Sequence, residues 1–375
     1  MPLSTSSSDA PDYSRALPSG DWLAAIAVAF GLLVLTIAVM EIALAERGFA
    51  PTIVDSPRLW VAQRIAASQL GRRALILVGD SRMQLDVDTT ALRSQTHLTP
   101  VQLAIDGTSF VPVLEGLAKD PTVLGTVVVQ FDDVSLASKT DSSRGADLQA
   151  AFDHRSSWIL DYANTEDWLE DNLHSALRSY ADGSLPISAL VDRLIAPRPT
   201  PQYLRTLPDR SRAADYGKVA MPDWYFGRVM KNLGEDLQQP GMTYEQLYAL
   251  LVRRIGTLQP EPNQAYEANI PRINAMADAI RRRGGRVIFV VFPTSGLVKA
   301  VDDARYPRAL FWARFAASSR ATTLNFADVP SMQGFICPDG SHLDARQRTA
   351  FTTALVAALA LAPTKSALPV RPPRL

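Results

Sequence analysis

Five short apolar runs constrain this chain more than anything else in it: Ala74–Val78, Val101–Ile105, Gly125–Phe131, Arg286–Phe292 and Thr322–Phe326. Val287-Ile288-Phe289-Val290-Val291-Phe292 has no polar face at all, so as a strand it must be covered on both sides. An amphipathic helical pattern at Leu59–Leu70 precedes the first run, and others lie between runs, at Phe110–Ala118 and Ile270–Arg283. The last of these stops at Gly284-Gly285, a natural helix end before the next strand. Strands alternating with helices predict an α/β fold with a central parallel sheet. In such sheets ligands sit beyond the carboxyl ends of the strands. Ser81, Asp106-Gly107 and Asp132-Asp133 all fall just past strand ends.

The alternation is interrupted between Ser135 and Asn269, a stretch too long for a simple loop. It carries Trp158, Trp168 and Trp224, with helical patterns at Thr165–Tyr180 and Thr243–Ile255, and reads as a mostly helical cap inserted between the third and fourth strands (residues 135–269). The main domain is expected over residues 50–362, with disordered tails at 1–21 and 363–375.

Trp22 to Met40 is an unbroken uncharged run. As a helix it is about 28 Å long, against a bilayer core of roughly 30 Å. It has no polar face, as a helix of a soluble core would, so residues 22–40 are expected to span a membrane. A cleaved signal peptide competes with this, because Ala43-Leu44-Ala45 looks like a cleavage site. The single basic residue before the run, Arg15, and the length of the run favour a retained anchor. Arg47 and Arg58 follow it, and charge alone does not fix the orientation.

The 38 basic and 38 acidic residues balance, so nothing points to electrostatic capture of nucleic acid, and no nucleic-acid partner is expected. A single cysteine, Cys337, excludes an internal disulfide, and the 4 histidines show no metal-ligand spacing. No metal and no cofactor is expected.

Two motifs about 260 residues apart carry chemistry. Gly79-Asp80-Ser81 puts a serine on the turn that ends the first strand; Asp339-Gly340-Ser341-His342 supplies an aspartate and a histidine just before a C-terminal amphipathic segment. Serine, histidine and aspartate are the parts of a hydroxyl nucleophile activated by a base whose ring is held by a carboxylate. Arg82 next to the serine could contact an anionic substrate or form a salt bridge on the first helical turn. Thr294 and Ser295 are better suited to turn duty than to the pocket, and Cys337 to a buried packing role than to a second nucleophile.

In these blocks the chain resembles the SGNH (GDSL-type) hydrolase superfamily. Gly79-Asp80-Ser81 matches the family's first block and Asp339-x-x-His342 its last, with Asp106-Gly107 where the glycine block falls. The resemblance covers about residues 73 to 361, without the cap. It implies a three-layer sandwich around the parallel sheet. It also implies Ser81 as nucleophile, His342 as general base and then acid, and Asp339 as orienter of the imidazole. The backbone N–H groups of Ser81 and Gly107 would face the oxyanion, one such donor being worth roughly 3 kcal/mol of barrier. Asp80, Arg82, Asp132 and Asp133 would line the site.

The chain departs from the family in its third block. The family's Gly-x-Asn-Asp supplies an asparagine amide to the oxyanion hole, whereas the third strand here ends Gln130-Phe131-Asp132-Asp133. An ionised carboxylate cannot donate that hydrogen bond. Membrane-anchored relatives, the DltD-like and alginate-acetylation (AlgJ- and AlgX-like) proteins, are similar in layout. They imply an O-acyl transferase or esterase, with acetyl as the expected group, acting on a cell-envelope or secreted polysaccharide. The domain would then be held in the periplasm by a single pass through the bacterial inner membrane, beside a membrane-bound O-acyltransferase. A non-catalytic scaffold that binds glycan or that acyltransferase is the alternative, and a lipase or thioesterase on membrane lipids a third.

Overall fold

The computed structural model describes residues 20–137, 144–154, 169, 172–183, 185–197 and 200–361. Its strands are β1 (Ala74–Val78), β2 (Thr99–Gln102), β3 (Thr126–Gln130), β4 (Leu204–Thr206), β5 (Arg212–Ala214), β6 (Arg286–Val291) and β7 (Thr322–Asn325). Five of them form one sheet in the order β2-β1-β3-β6-β7 with every pairing parallel, while β4 and β5 form a separate antiparallel hairpin. The chain runs outward from β1 to β2 and then returns to the other side of β1 as β3. The β1/β3 boundary is therefore the switch point, where such sheets open a crevice at the strands' carboxyl ends.

Alternate residues divide between two cores. Ile76, Val78, Val127, Val129, Val287 and Phe289 pack on one face. Against them lie α2 (Pro57–Gln69), α5 (Val111–Lys119), α10 (Gln264–Arg282) and α12 (Trp312–Ser318). Leu75, Leu77, Val128, Ile288 and Val290 face the other way, towards α3 (Ser81–Asp86), α4 (Thr89–Thr96) and α13 (Arg348–Leu361). Coverage on both faces is why these strands are apolar throughout. The expected α/β architecture with a central parallel sheet is what the chain adopts.

Several boundaries differ from expectation. β2 begins at Thr99, two residues earlier than its apolar run, and includes Pro100. The missing N–H is tolerated because β2 is an edge strand. Beyond Gln102 the chain stays against β1, with Leu103 N donating to Leu77 O at 2.8 Å and Ile105 N to Gly79 O at 3.0 Å. α10 starts at Gln264 and runs through Pro271. Its buried stripe of Tyr266, Ile270, Ile273 and Ala277 outweighs the proline's local cost of about 3 kcal/mol.

The segment 135–269 is not a purely helical cap. It includes the β4–β5 hairpin, and its last six residues already belong to α10. α6 (Asp133–Ala137) packs on α10, and α7 (Arg144–Asp153) on α2 and α5, as part of the main domain's outer layer. The cap-like part is α8 (Asp223–Leu233) and α9 (Tyr244–Ile255), which pack through Phe226, Val229, Leu247 and Leu251 onto α11 (Gly296–Arg305). Trp158, Trp168 and residues 165–168, 170 and 171 of the Thr165–Tyr180 pattern lie outside the described residues, as do 1–19 of the first tail and all of the second.

The apolar run forms a 25-residue helix, α1 (Trp22–Glu46), long and apolar enough to cross a membrane. It continues past Met40 because its last turns have protein partners. Met40 and Leu44 pack with Phe49 and Leu194, and the Glu41 carboxylate accepts the backbone N–H groups of Arg178 and Ser179 at 2.8 Å each.

Arg210, in the hairpin's loop, locks the insertion to the sheet. Its buried guanidinium donates to the Asp55 carboxylate at 2.6 and 3.0 Å, to Gln102 O at 2.6 Å and to Ala104 O at 3.2 Å. Arg210→Ala leaves a buried carboxylate and two carbonyls without their donor. Thermal unfolding of the detergent-solubilised protein, followed by near-ultraviolet circular dichroism, should show a loss of about 3–5 kcal/mol.

Candidate active site

β1 ends at Val78, and the turn that follows presents Ser81. At Gly79 a Cβ would lie 2.7 Å from Gln130 Cβ and 2.6 Å from its Oε1, so only glycine lets the turn come this close to β3. Gln130 Oε1 accepts Asp80 N at 2.8 Å, and Asp80 Oδ1 caps α3 by accepting Arg82 N at 2.8 Å. Ser81 is the first residue of α3, half-buried beside the switch point.

The second block is fastened to two parts of the sheet's edge. Cys337 N donates to Ser295 Oγ at 3.0 Å and Ser295 N to Gly340 O at 2.9 Å, tying it to the end of β6. Leu343 N donates to Asp86 Oδ1 at 2.8 Å, tying it to α3. Gly340 has φ 82° and faces Val298 so closely that a Cβ would collide with it.

These turns bring the three expected residues together. Ser81 Oγ lies 2.8 Å from His342 Nε2, and His342 Nδ1 lies 2.8 Å from Asp339 Oδ2. An ionised carboxylate only accepts, so Nδ1 carries a proton, and in the neutral ring Nε2 then turns its lone pair to the Ser81 hydroxyl. Asp339 has no solvent exposure, yet it is well supplied with donors. Oδ1 accepts Ser341 N at 2.9 Å and His342 N at 2.8 Å; Oδ2 also accepts the Tyr216 hydroxyl at 2.9 Å and faces Arg228 Nη2 at 3.3 Å. Burial alone would raise its carboxyl, but the bond to His342 and the backbone and Arg228 contributions outweigh that and hold it far below the usual range. Burial, then the Asp339 charge, pushes the Tyr216 phenol up, so Tyr216 is a neutral donor.

Tyr216 and Arg228 escaped the sequence reading. Both come from the insertion, and no spacing relates them to either motif. Tyr216 follows the hairpin and is wedged against Leu85 and Ala214; Arg228 projects from α8.

The remaining expected residues take other places. Arg82 donates from Nε to Ser341 Oγ at 3.2 Å and faces Asp302 at 3.8 Å. Burial pulls its guanidinium down, but Asp80, Asp302 and Asp132 together raise it. Asp132 accepts Ser135 N at 2.7 Å and Ser135 Oγ at 2.8 Å, and Asp133 accepts the Tyr266 hydroxyl at 2.8 Å. Both line a cavity of about 140 Å³, shared with Arg82, Thr294, Asp302 and Trp312, beyond the ends of β3, β6 and β7. Lys299 and Arg308 on its wall are paired with Asp303 and Asp328. Gly107 sits in the exposed turn after β2, with φ 66° and open space where a side chain would project. Cys337 is buried, and burial raises its thiol. Among the described residues no cluster of three or more His, Cys, Asp or Glu could hold a metal.

Two outcomes follow from these contacts. Tyr216→Phe removes one donor to Asp339 without touching Ser81 or His342. It should slow covalent labelling of Ser81 by a fluorophosphonate about tenfold and lower stability by about 1.5–3 kcal/mol, the worth of one hydrogen bond to a charged group, with the fold kept. The second concerns Asp133, which burial, against the Tyr266 bond and with the Asp132 charge adding, pushes up to about 7. Between the unfolded value near pH 4 and the folded value near 7 the native state holds a proton that the unfolded chain has released, so stability falls as pH rises through that window. Asp133→Asn keeps an acceptor for Tyr266. Urea midpoints should show it more stable than the parent at pH 8 and equal to it near pH 3.5.

Compared with known proteins, the sequence matches no protein-family model and no curated protein.

Proposed function

We propose that this chain is a membrane-anchored serine O-acyl transferase or esterase of the SGNH type. It would act through an acyl-serine intermediate on a cell-envelope or secreted polysaccharide. The observation that carries this reading is the Ser81–His342–Asp339 chain of hydrogen bonds, each link 2.8 Å, at the carboxyl edge of a parallel sheet.

The neutral His342 takes the Ser81 proton as Oγ attacks the acyl carbonyl. The imidazolium so formed is stabilised by Asp339, which keeps its charge because five donor groups surround it. His342 then returns the proton to the departing group. In the second half a sugar hydroxyl, or water, gives its proton to His342 and takes the acyl group from Ser81. Backbone N–H groups of Ser81 and Gly107 are the proposed donors to the oxyanion. With acetyl as the acyl group, a small pocket at the serine is sufficient. The adjoining cavity combines Asp132, Asp133, Asp302 and Arg82 with apolar walls from Phe131, Phe292, Trp312 and Phe326, so it offers hydrogen-bonding groups to a sugar as well as apolar surface.

The anchor reading draws support from the end of α1. Glu41, Met40 and Leu44 are built into the domain, which favours a retained helix over a cleaved leader. Placement of the domain in the periplasm, with a membrane-bound acyltransferase as partner and acyl donor, belongs to the same proposal.

Intact-mass analysis after exposure to a fluorophosphonate tests the catalytic core. The parent should gain one adduct, Ser81→Ala none, and His342→Ala should react slower by roughly three orders of magnitude. A well-folded parent that gains no adduct would identify the chain as a scaffold that binds glycan or its membrane partner.

A further inference from the structure

Beside the end of α1 lies a helical stretch, Pro186–Ala189 running into Leu190–Ile195, with an unusual distribution of side chains. Its inner side is accounted for. Ala189 is buried, Leu194 packs on Met40, Leu44 and Phe49, and Arg193 turns back to donate to Arg178 O at 3.0 Å and Ala181 O at 3.1 Å, with its guanidinium 5.4 Å from the Phe49 ring. Its outer side is apolar and open: Leu185 is 65%, Ile187 76%, Val191 50% and Ile195 66% exposed. With Leu190, 40% exposed, these make five large apolar side chains on one short stretch, a surface that something covers.

The level of this patch identifies the occupant. α1 has 25 residues, about 37 Å of helix, whereas a bilayer core of roughly 30 Å takes about 20. Met40–Leu44, the part that touches Leu194, is therefore where the helix leaves the hydrocarbon. Val39 and Ile42, at the start of that part of α1, are exposed as well, so exposed apolar side chains run from the spanning helix up to the level of the stretch beside it. Asp192, exposed in the same stretch, fits the headgroup level and not the core.

We infer that residues 185–195 lie in the membrane interface, with Leu185, Ile187, Val191 and Ile195 sunk among lipid headgroups and upper acyl chains next to the emerging end of α1. This rests on the reading of α1 as a membrane span. The domain is then seated on the bilayer at two adjoining points, and it cannot swing freely on a flexible tether.

Single cysteines at Ile187, Val191, Val34 of α1 and Val252 of α9, all exposed, would carry a nitrobenzoxadiazole probe; the buried Cys337 stays unlabelled. The full chain is reconstituted in vesicles of phosphatidylcholine and phosphatidylglycerol, with and without nitroxide-bearing lipids. The expected result is a shift to shorter wavelength for probes 187 and 191, quenched most by nitroxides high on the acyl chain. Probe 34 should be quenched most by deep nitroxides, and probe 252 by aqueous iodide alone. Probes 187 and 191 behaving like 252, while 34 responds to lipid, would overturn the inference and leave the span intact. Probes 187 and 191 shielded from iodide but blind to lipid would mean that a second copy or another protein covers the patch, and would also overturn it. A probe at 34 that ignores lipid would remove the span itself, and the inference with it.

Discussion

A carboxylate cut off from water is tolerable only when the protein replaces the hydration it has lost, and Asp339 is the place where this chain meets that demand. Two backbone N–H groups from its own turn, the ring of His342, the phenol of Tyr216 and the guanidinium of Arg228 converge on its two oxygens. These donors come from three separate stretches of the chain. Holding Asp339 ionised therefore requires the C-terminal block, the residues after the hairpin and α8 to be in place together. The orientation of His342 towards Ser81 is the result.

The same logic explains how the insertion is tied down. Arg210 reaches across to Asp55 and to the carbonyls that continue β2, and α8 and α9 rest on α11 next to Val298, which in turn bears on Gly340. The apolar contacts supply most of the stability, and the buried charges decide the register between the parts. Carboxyls supplied with fewer donors behave differently. Asp86 accepts Leu343 N on one oxygen, the other has no hydrogen-bond partner among the described residues, and burial pushes it well above the usual carboxylate range. Asp132, with Ser135 as its donor, is raised by burial and then by Asp80 to about 6.

Much of this was legible in the sequence, for physical reasons. Strands covered on both faces must be apolar throughout, so β1, β3 and β6 announced themselves, and with them the parallel sheet. A serine after Gly-Asp at a strand end and a histidine three residues after an aspartate are local patterns, and the fold joins them. β2 was misplaced by two residues because an edge strand can accept Pro100. The start of α10 was missed because Pro271 reads as a break, whereas burial of Tyr266 and Ile270 carries the helix through it. Tyr216 and Arg228 were invisible because their role is set by tertiary distance alone. The residue expected to face the oxyanion from β3 is absent from the sequence. In its neighbourhood stands Gln130, whose oxygen is spent on Asp80 N and whose buried amide nitrogen has no protein partner among the described residues.

Insertions on α/β scaffolds are usually the freest part of a chain to change, since they hang on a sheet that folds without them. Here that freedom is curtailed. Any reshaping of this segment has to leave one phenol and one guanidinium where they are, because both steady the carboxylate behind the imidazole. A change far along the chain from Asp339, at the hairpin's exit or in α8, is therefore felt at the ring of His342.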